Sequence, residues 1–89
     1  MANGYEYLVC QTQWGNVTFV NGEWQGSIDY RSEDYDAAYK SCPQVWDYLN
    51  RVGREGWEMV GAVTLVNTHA EGASQATNQL FLKRAYSYS

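Results

Sequence analysis

Leu49-Asn50-Arg51-Val52-Gly53-Arg54-Glu55-Gly56-Trp57-Glu58-Met59-Val60-Gly61 is the stretch whose reading decides the fold. It reads as the end of a helix, a glycine stop and the start of a buried strand. Val45, Leu49 and Val52 recur at helical spacing, with Trp46 and Gly53 beside them, so one helix face is apolar or small. Arg51 and Arg54 fall in the last turns, where positive charge complements the helix dipole. Gly56 stands where a left-handed residue closes a helix, a conformation glycine takes without a Cβ clash. Trp57 follows at once and is placed to pack back across the helix end. From Trp57 to Val66 the residues are β-branched or apolar on both faces, which predicts a central strand.

Upstream of that stretch, Ser41 or Cys42 opens the main helix, with Pro43 in its first turn, where a missing amide hydrogen costs nothing. Asp47 adds negative charge near the start of this helix, and Arg54 marks its end. Tyr5 to Thr12 alternates as a strand, with Tyr5, Tyr7 and Val9 on one face and Glu6, Leu8 and Cys10 on the other. If the helix covers the Tyr7 and Val9 face, Leu8 and Cys10 need another cover. Val17 to Val20 and Glu23 to Gly26 flank Asn21-Gly22, the pair that supplies the positive φ angles of a type I′ hairpin turn. Trp14 and Gly15 form the bend feeding that hairpin. Residues 28–40 admit two readings. One is a short helix capped by Ser32, with Tyr35, Ala38, Tyr39 and Cys42 at helical spacing. The other is an acidic loop with tyrosines packed on the sheet. Residues 67–78 are small, polar and aperiodic, a mobile loop between two antiparallel strands. Gln79 to Tyr86 is the last strand, and residues 1–4 and 87–89 are expected to fray.

The pattern LNRVGREGWEMVG resembles the signature of a family of small bacterial domains, the domain-of-unknown-function 4177 family. Those domains are similar in a leading aromatic strand, here Tyr5-Glu6-Tyr7-Leu8-Val9. They also share a helix ending in Gly-x-Glu-Gly-Trp-Glu, here Gly53 to Glu58, and a last strand ending in Lys-Arg, here Lys83-Arg84. The resemblance covers the first strand and residues 43–85; the insert-like region from Asn16 to Ser41 departs from it. It implies a small α+β fold and supplies no activity, so no catalytic residue is carried over.

The 89 residues make one domain with a thin core. Aromatic residues are 16% of the chain, Trp 4 and Tyr 8 among them, more than such a core encloses, so some rings are exposed as contact surface. A net charge of -4 disfavours phosphate backbones and anionic membrane surfaces, so neither nucleic acid nor membrane is an expected partner. Met1-Ala2-Asn3-Gly4 has no basic, apolar signal pattern, and no stretch approaches a spanning helix. Cys10 and Cys42 lack a framework spacing and read as free buried thiols of a cytoplasmic protein. The Asn16-Val17-Thr18 sequon is taken as chance.

Chemistry is sparse. One histidine, His69, and two separated cysteines do not make a metal site, and no cofactor pattern is present. Cys42 at a helix start would have a lowered pKa, with His69 as its partner only if the loop folds over it. A small buried filler is the simpler role. Asp29, Glu33, Asp34 and Asp36 read as a solvated charge run rather than a carboxylate pair across a cleft.

Three functions follow. The first is a non-catalytic module that self-associates, as a dimer most simply, or binds a protein partner through the outer sheet face, with Leu8, Cys10, Val60, Ala62 and Val66 as the interface. The second is a small-ligand or carbohydrate binder using Trp14, Trp24, Tyr30, Tyr35 and Tyr39 as a platform, with the 67–78 loop. The third is a cysteine enzyme on Cys42 and His69, ranked last because no spacing assembles acid, base and nucleophile. The expected fold is α+β: an antiparallel sheet of about five strands with one main helix packed on one face.

Overall fold

A computed structural model describes the backbone over residues 2–68 and 74–88 and the side chains over 4–65 and 77–86. The elements are β1 (Ala2–Gln13), β2 (Asn16–Val20), β3 (Glu23–Trp24), α1 (Tyr35–Lys40), α2 (Val45–Arg54), β4 (Glu58–Thr68) and β5 (Ser74–Tyr88). The strands form one antiparallel sheet in the order β3-β2-β1-β5-β4, so the chain has the expected α+β fold with five strands.

Two tight turns start the sheet. Trp14 and Gly15 have φ of 52° and 80°, and Asn21 and Gly22 have φ of 49° and 84°. Both pairs take the left-handed conformations of a type I′ turn. The bend at Trp14 is therefore a hairpin turn in its own right, joining β1 to β2. Asn21 adds more than a turn. Its side-chain oxygen accepts from the Val9 N–H at 2.8 Å, and its amide group donates to the Tyr7 carbonyl at 3.4 Å. One side chain thus continues the ladder along β1 where β2 has ended.

The two readings of the middle segment resolve as a short helix. α1 is capped by Asp34, whose carboxylate accepts from the Ala37 N–H at 3.0 Å, rather than by Ser32. Ser41 and Cys42 follow its C-terminus, and α2 starts only at Val45. Pro43 lies before that helix because its carbonyl is taken by the Val17 N–H at 2.7 Å, which holds the backbone against β2.

The end of α2 is as the sequence predicts. Gly56 has φ of 96°, its N–H donates to the Gly53 carbonyl at 3.1 Å, and the Trp57 N–H reaches the Val52 carbonyl at 3.1 Å. This is a Schellman stop, and it satisfies carbonyls that the helix end would otherwise leave open. Tyr48 and Val52 are the buried residues of α2, with Val45, Leu49 and Trp57 packed beside them, whereas Trp46 points to solvent.

The core sets Tyr48 and Val52 against Cys10, Val17, Val20, Leu80 and Leu82. Three expectations change here. Leu8 and Cys10 lie under α2 and not on the outer face, because Cys10 and the partly buried Leu8 pair with Leu80 and Leu82 of the core side. The small thiol leaves room for the Tyr48 ring, so it is Tyr5 and Tyr7 that turn outward. Next, β4 is an edge strand, not a central one. Finally, residues 2–4, 67–68, 74–78 and 87–88 belong to strands, so the expected tails and loop shrink; residues 69–73, where the loop would lie, are outside the described residues. The long β4–β5 and β1–β5 ladders stretch the molecule to 54 × 26 × 20 Å.

Candidate association surface

The sheet face away from α2 is assembled by register. Directly paired residues share a face, so Tyr7, Lys83 and Glu58 form one row, Val9, Phe81 and Gly61 a second, and Gln11, Gln79 and Val63 a third. Tyr5, Tyr7, Val63 and Leu65 on this face are 54%, 59%, 44% and 44% exposed, so its apolar side chains are left open. Lys83 lies on this face too: its ammonium is 4.6 Å from the Tyr5 ring and 3.9 Å from Glu58. A shallow cavity of about 300 Å³ sits on the same face, lined by Val9, Gln11, Phe19, Gly22 and Gln79.

The edge strand extends this surface. Ala62 pairs with Leu80 and so points to the helix side, yet it is exposed, because α2 covers β1, β2 and β5 and stops short of β4. Val60 and Met59 are also exposed, at the register shift between Met59 and Gly61. Of the expected interface residues, Val60 and Ala62 therefore lie on an open strand. Leu8 and Cys10 are in or against the core, and the Val66 side chain lies outside the described residues. The sequence reading missed Tyr5, Tyr7, Val63 and Leu65. The parity of β1 held the signal: Leu8, Cys10 and Thr12 are compact enough to sit beneath a helix, and the tyrosines opposite are not.

The aromatic residues of the second reading pack on one another. Trp14 meets Tyr39 at 4.7 Å between ring centroids, Tyr39 meets Trp24 at 5.8 Å, and Trp24 meets Tyr30 at 5.3 Å, with Phe19 closing the group. The contacts are edge-to-face or tilted, the favoured geometry of packed rings. Trp24 also donates its indole N–H to the Ile28 carbonyl at 2.8 Å. These rings pack on one another beside β3 with Trp14 and Tyr30 still exposed at 64% and 45%, and Tyr35 is exposed outside these contacts.

The thiols are chemically quiet. Burial pushes the Cys10 thiol up, partly offset by its hydrogen bond with Tyr48, and burial also pushes up the Tyr48 phenol. Burial pushes Cys42 up as well, the opposite of nucleophile activation, and the residue follows α1 rather than starting α2. His69, its expected partner, lies outside the described residues. Of the acidic run, Asp29 pairs with Arg31, Asp34 caps α1 and Asp36 pairs with Lys40. Among the described residues no group of His, Cys, Asp and Glu is placed to hold a metal, and no helix is long and apolar enough to cross a membrane.

The residues on which the expected family resemblance rests make two sets of contacts. The Arg84 guanidinium lies 4.5 Å from the Trp57 ring, donates to Glu6 at 3.0 and 3.2 Å, and donates to the Glu55 carbonyl at 3.0 Å. Lys83 pairs with Glu58. Comparison with known proteins gives no match: no family model, no curated protein and no solved structure is similar to this chain.

Proposed function

We propose that this chain is a non-catalytic module that works by self-association, with a second copy of itself as the simplest partner. The observation that carries this reading is the open apolar surface running from Tyr5 and Tyr7 to Val63 and Leu65, which continues onto the exposed strand β4. An antiparallel sheet with one covered face ordinarily carries polar residues on the other. Here the uncovered face carries Tyr5, Tyr7, Phe81, Val63 and Leu65 between Lys83, Glu58, Gln11 and Gln79. Two buried, unpaired thiols support a reducing compartment, which we take to be the cytoplasm. The likeness to the domain-of-unknown-function 4177 family is likewise proposed, supported by the way Gly56, Trp57, Glu58, Lys83 and Arg84 lock together.

Light scattering behind a sizing column tests this reading. The chain of 10.2 kDa should give a mass rising toward twice that value with concentration. A Val63→Lys, Leu65→Lys protein should stay at the single-chain mass and keep the melting temperature that the wild type has when dilute, since both side chains are 44% exposed. A wild-type mass fixed at one chain at high micromolar concentration would remove the proposal.

A second reading rests on the cavity between Phe19 and Gln79. Two glutamines beside an aromatic edge suit a hydroxyl-rich ligand such as a sugar, and Trp24 packs against Phe19 as a built-in reporter. Trp fluorescence that stays flat across a glycan panel would exclude it.

A further inference from the structure

We infer that β4 pairs edge to edge and antiparallel with β4 of a second copy, joining two five-stranded sheets into one continuous sheet; this rests on the self-association reading and specifies how it occurs. The two edges of the sheet differ in kind. The β3 edge is only 2 residues long. The β4 edge is 11 residues long. A free edge presents alternating N–H and carbonyl groups that template another strand, and proteins normally guard it with charge, proline, a bulge or brevity.

β4 carries little of that protection. From Met59 to Thr68 it has no charged residue and no proline. Glu58, its one charge, is engaged by Lys83. The bulge at Met59 to Gly61 disturbs the first residues only, leaving Gly61 to Thr68 in regular register with β5. Those residues offer roughly 26 Å of strand at about 3.3 Å per residue. Neither side of the strand is obstructed, since Ala62 and Thr64 on the helix side and Val63 and Leu65 on the other are all exposed. The strand is hydrogen-bonded to β5 along one edge and has no strand on the other.

Charge selects the partner and the direction. In a chain of net charge -4, like charges oppose any self-contact, and a charge-free strand is where that opposition is weakest. Parallel pairing would set Glu58 beside Glu58. Antiparallel pairing carries the two Glu58 residues to opposite ends of the paired segment and follows from a simple twofold axis. The first half of β1 is also open on the side away from β5. It is less suited, because the Asn21 side chain already occupies the Val9 N–H and the Tyr7 carbonyl.

Residue-resolved amide hydrogen exchange on the associated protein tests the pairing. In an unpaired edge strand, the amides facing β5 are protected and the alternate ones exchange freely. In the paired assembly both sets between Gly61 and Leu65 should be slowed about a hundredfold or more relative to an unprotected chain. If the protein associates but alternate β4 amides exchange freely, the pairing is wrong and self-association stands on the open face alone. New protection along Tyr5 to Leu8 without protection of β4 would likewise overturn it in favour of the β1 edge. Absence of any association would remove both the pairing and the reading beneath it.

Discussion

Single residues with unusual backbone angles or several bonds hold the turns of this molecule, and each makes a distinct prediction. Asn21 combines a left-handed φ with two side-chain bonds to β1. Asn21→Ala should cost about 1–2 kcal/mol in urea unfolding, from the strained backbone and the lost bond to the Val9 N–H. Asn21→Gly relieves the strain and loses only the bonds, so it should cost less. Gly56→Ala places a Cβ at φ of 96° and 3.3 Å from the Arg84 side chain, and should also cost about 1–2 kcal/mol or more. The buried thiols give a pH signature. The folded state raises Cys10 above its ordinary 9.0 and Tyr48 above 10.0, so it holds these protons more tightly than the unfolded chain. Stability should therefore be full below those values and fall as pH rises through them, read as a declining urea midpoint. Neither Cys10 nor Cys42 should label with a thiol reagent at neutral pH until the protein unfolds.

At the scale of elements, the helix and its glycine stop were legible because they are local. Spacing, dipole charge and one left-handed glycine are all written within about three turns of chain. The Asn21-Gly22 turn was legible for the same reason. What the sequence hid was which neighbour each element meets. Alternation in β1 gives two faces and does not say which one meets α2; Tyr48 decides that by taking the space above Cys10. The two-sided apolar pattern of β4 reads as a central strand because periodicity reports burial-compatible surface, not strand order. Of the expected interface, Leu8 and Cys10 lie on the core side, while Val60 and Ala62 fall on the open strand. The packing makes a contrast that is easily measured. Leu82 is 2% exposed in the core, and Leu82→Ala should cost about 2–5 kcal/mol. Val63→Ala, on the open face of β4, should cost under about 1 kcal/mol in the unassociated protein.

The whole molecule is a long sheet with a short helix set over part of it. α2 shields the core of β1, β2 and β5, the ring cluster packs beside β3, and the far edge with several apolar residues of the reverse face is left exposed. Arg84 joins first strand, last strand and helix end, so the frame that carries this surface is held rigid from the opposite side. A stiff scaffold with one unfinished side is suited to completing itself with another copy. Sedimentation equilibrium of the unmodified protein over a wide concentration range tests that most directly. The account predicts data that fit a reversible equilibrium between one chain and two. A single species at the mass of one chain, up to the highest concentration reached, would contradict it.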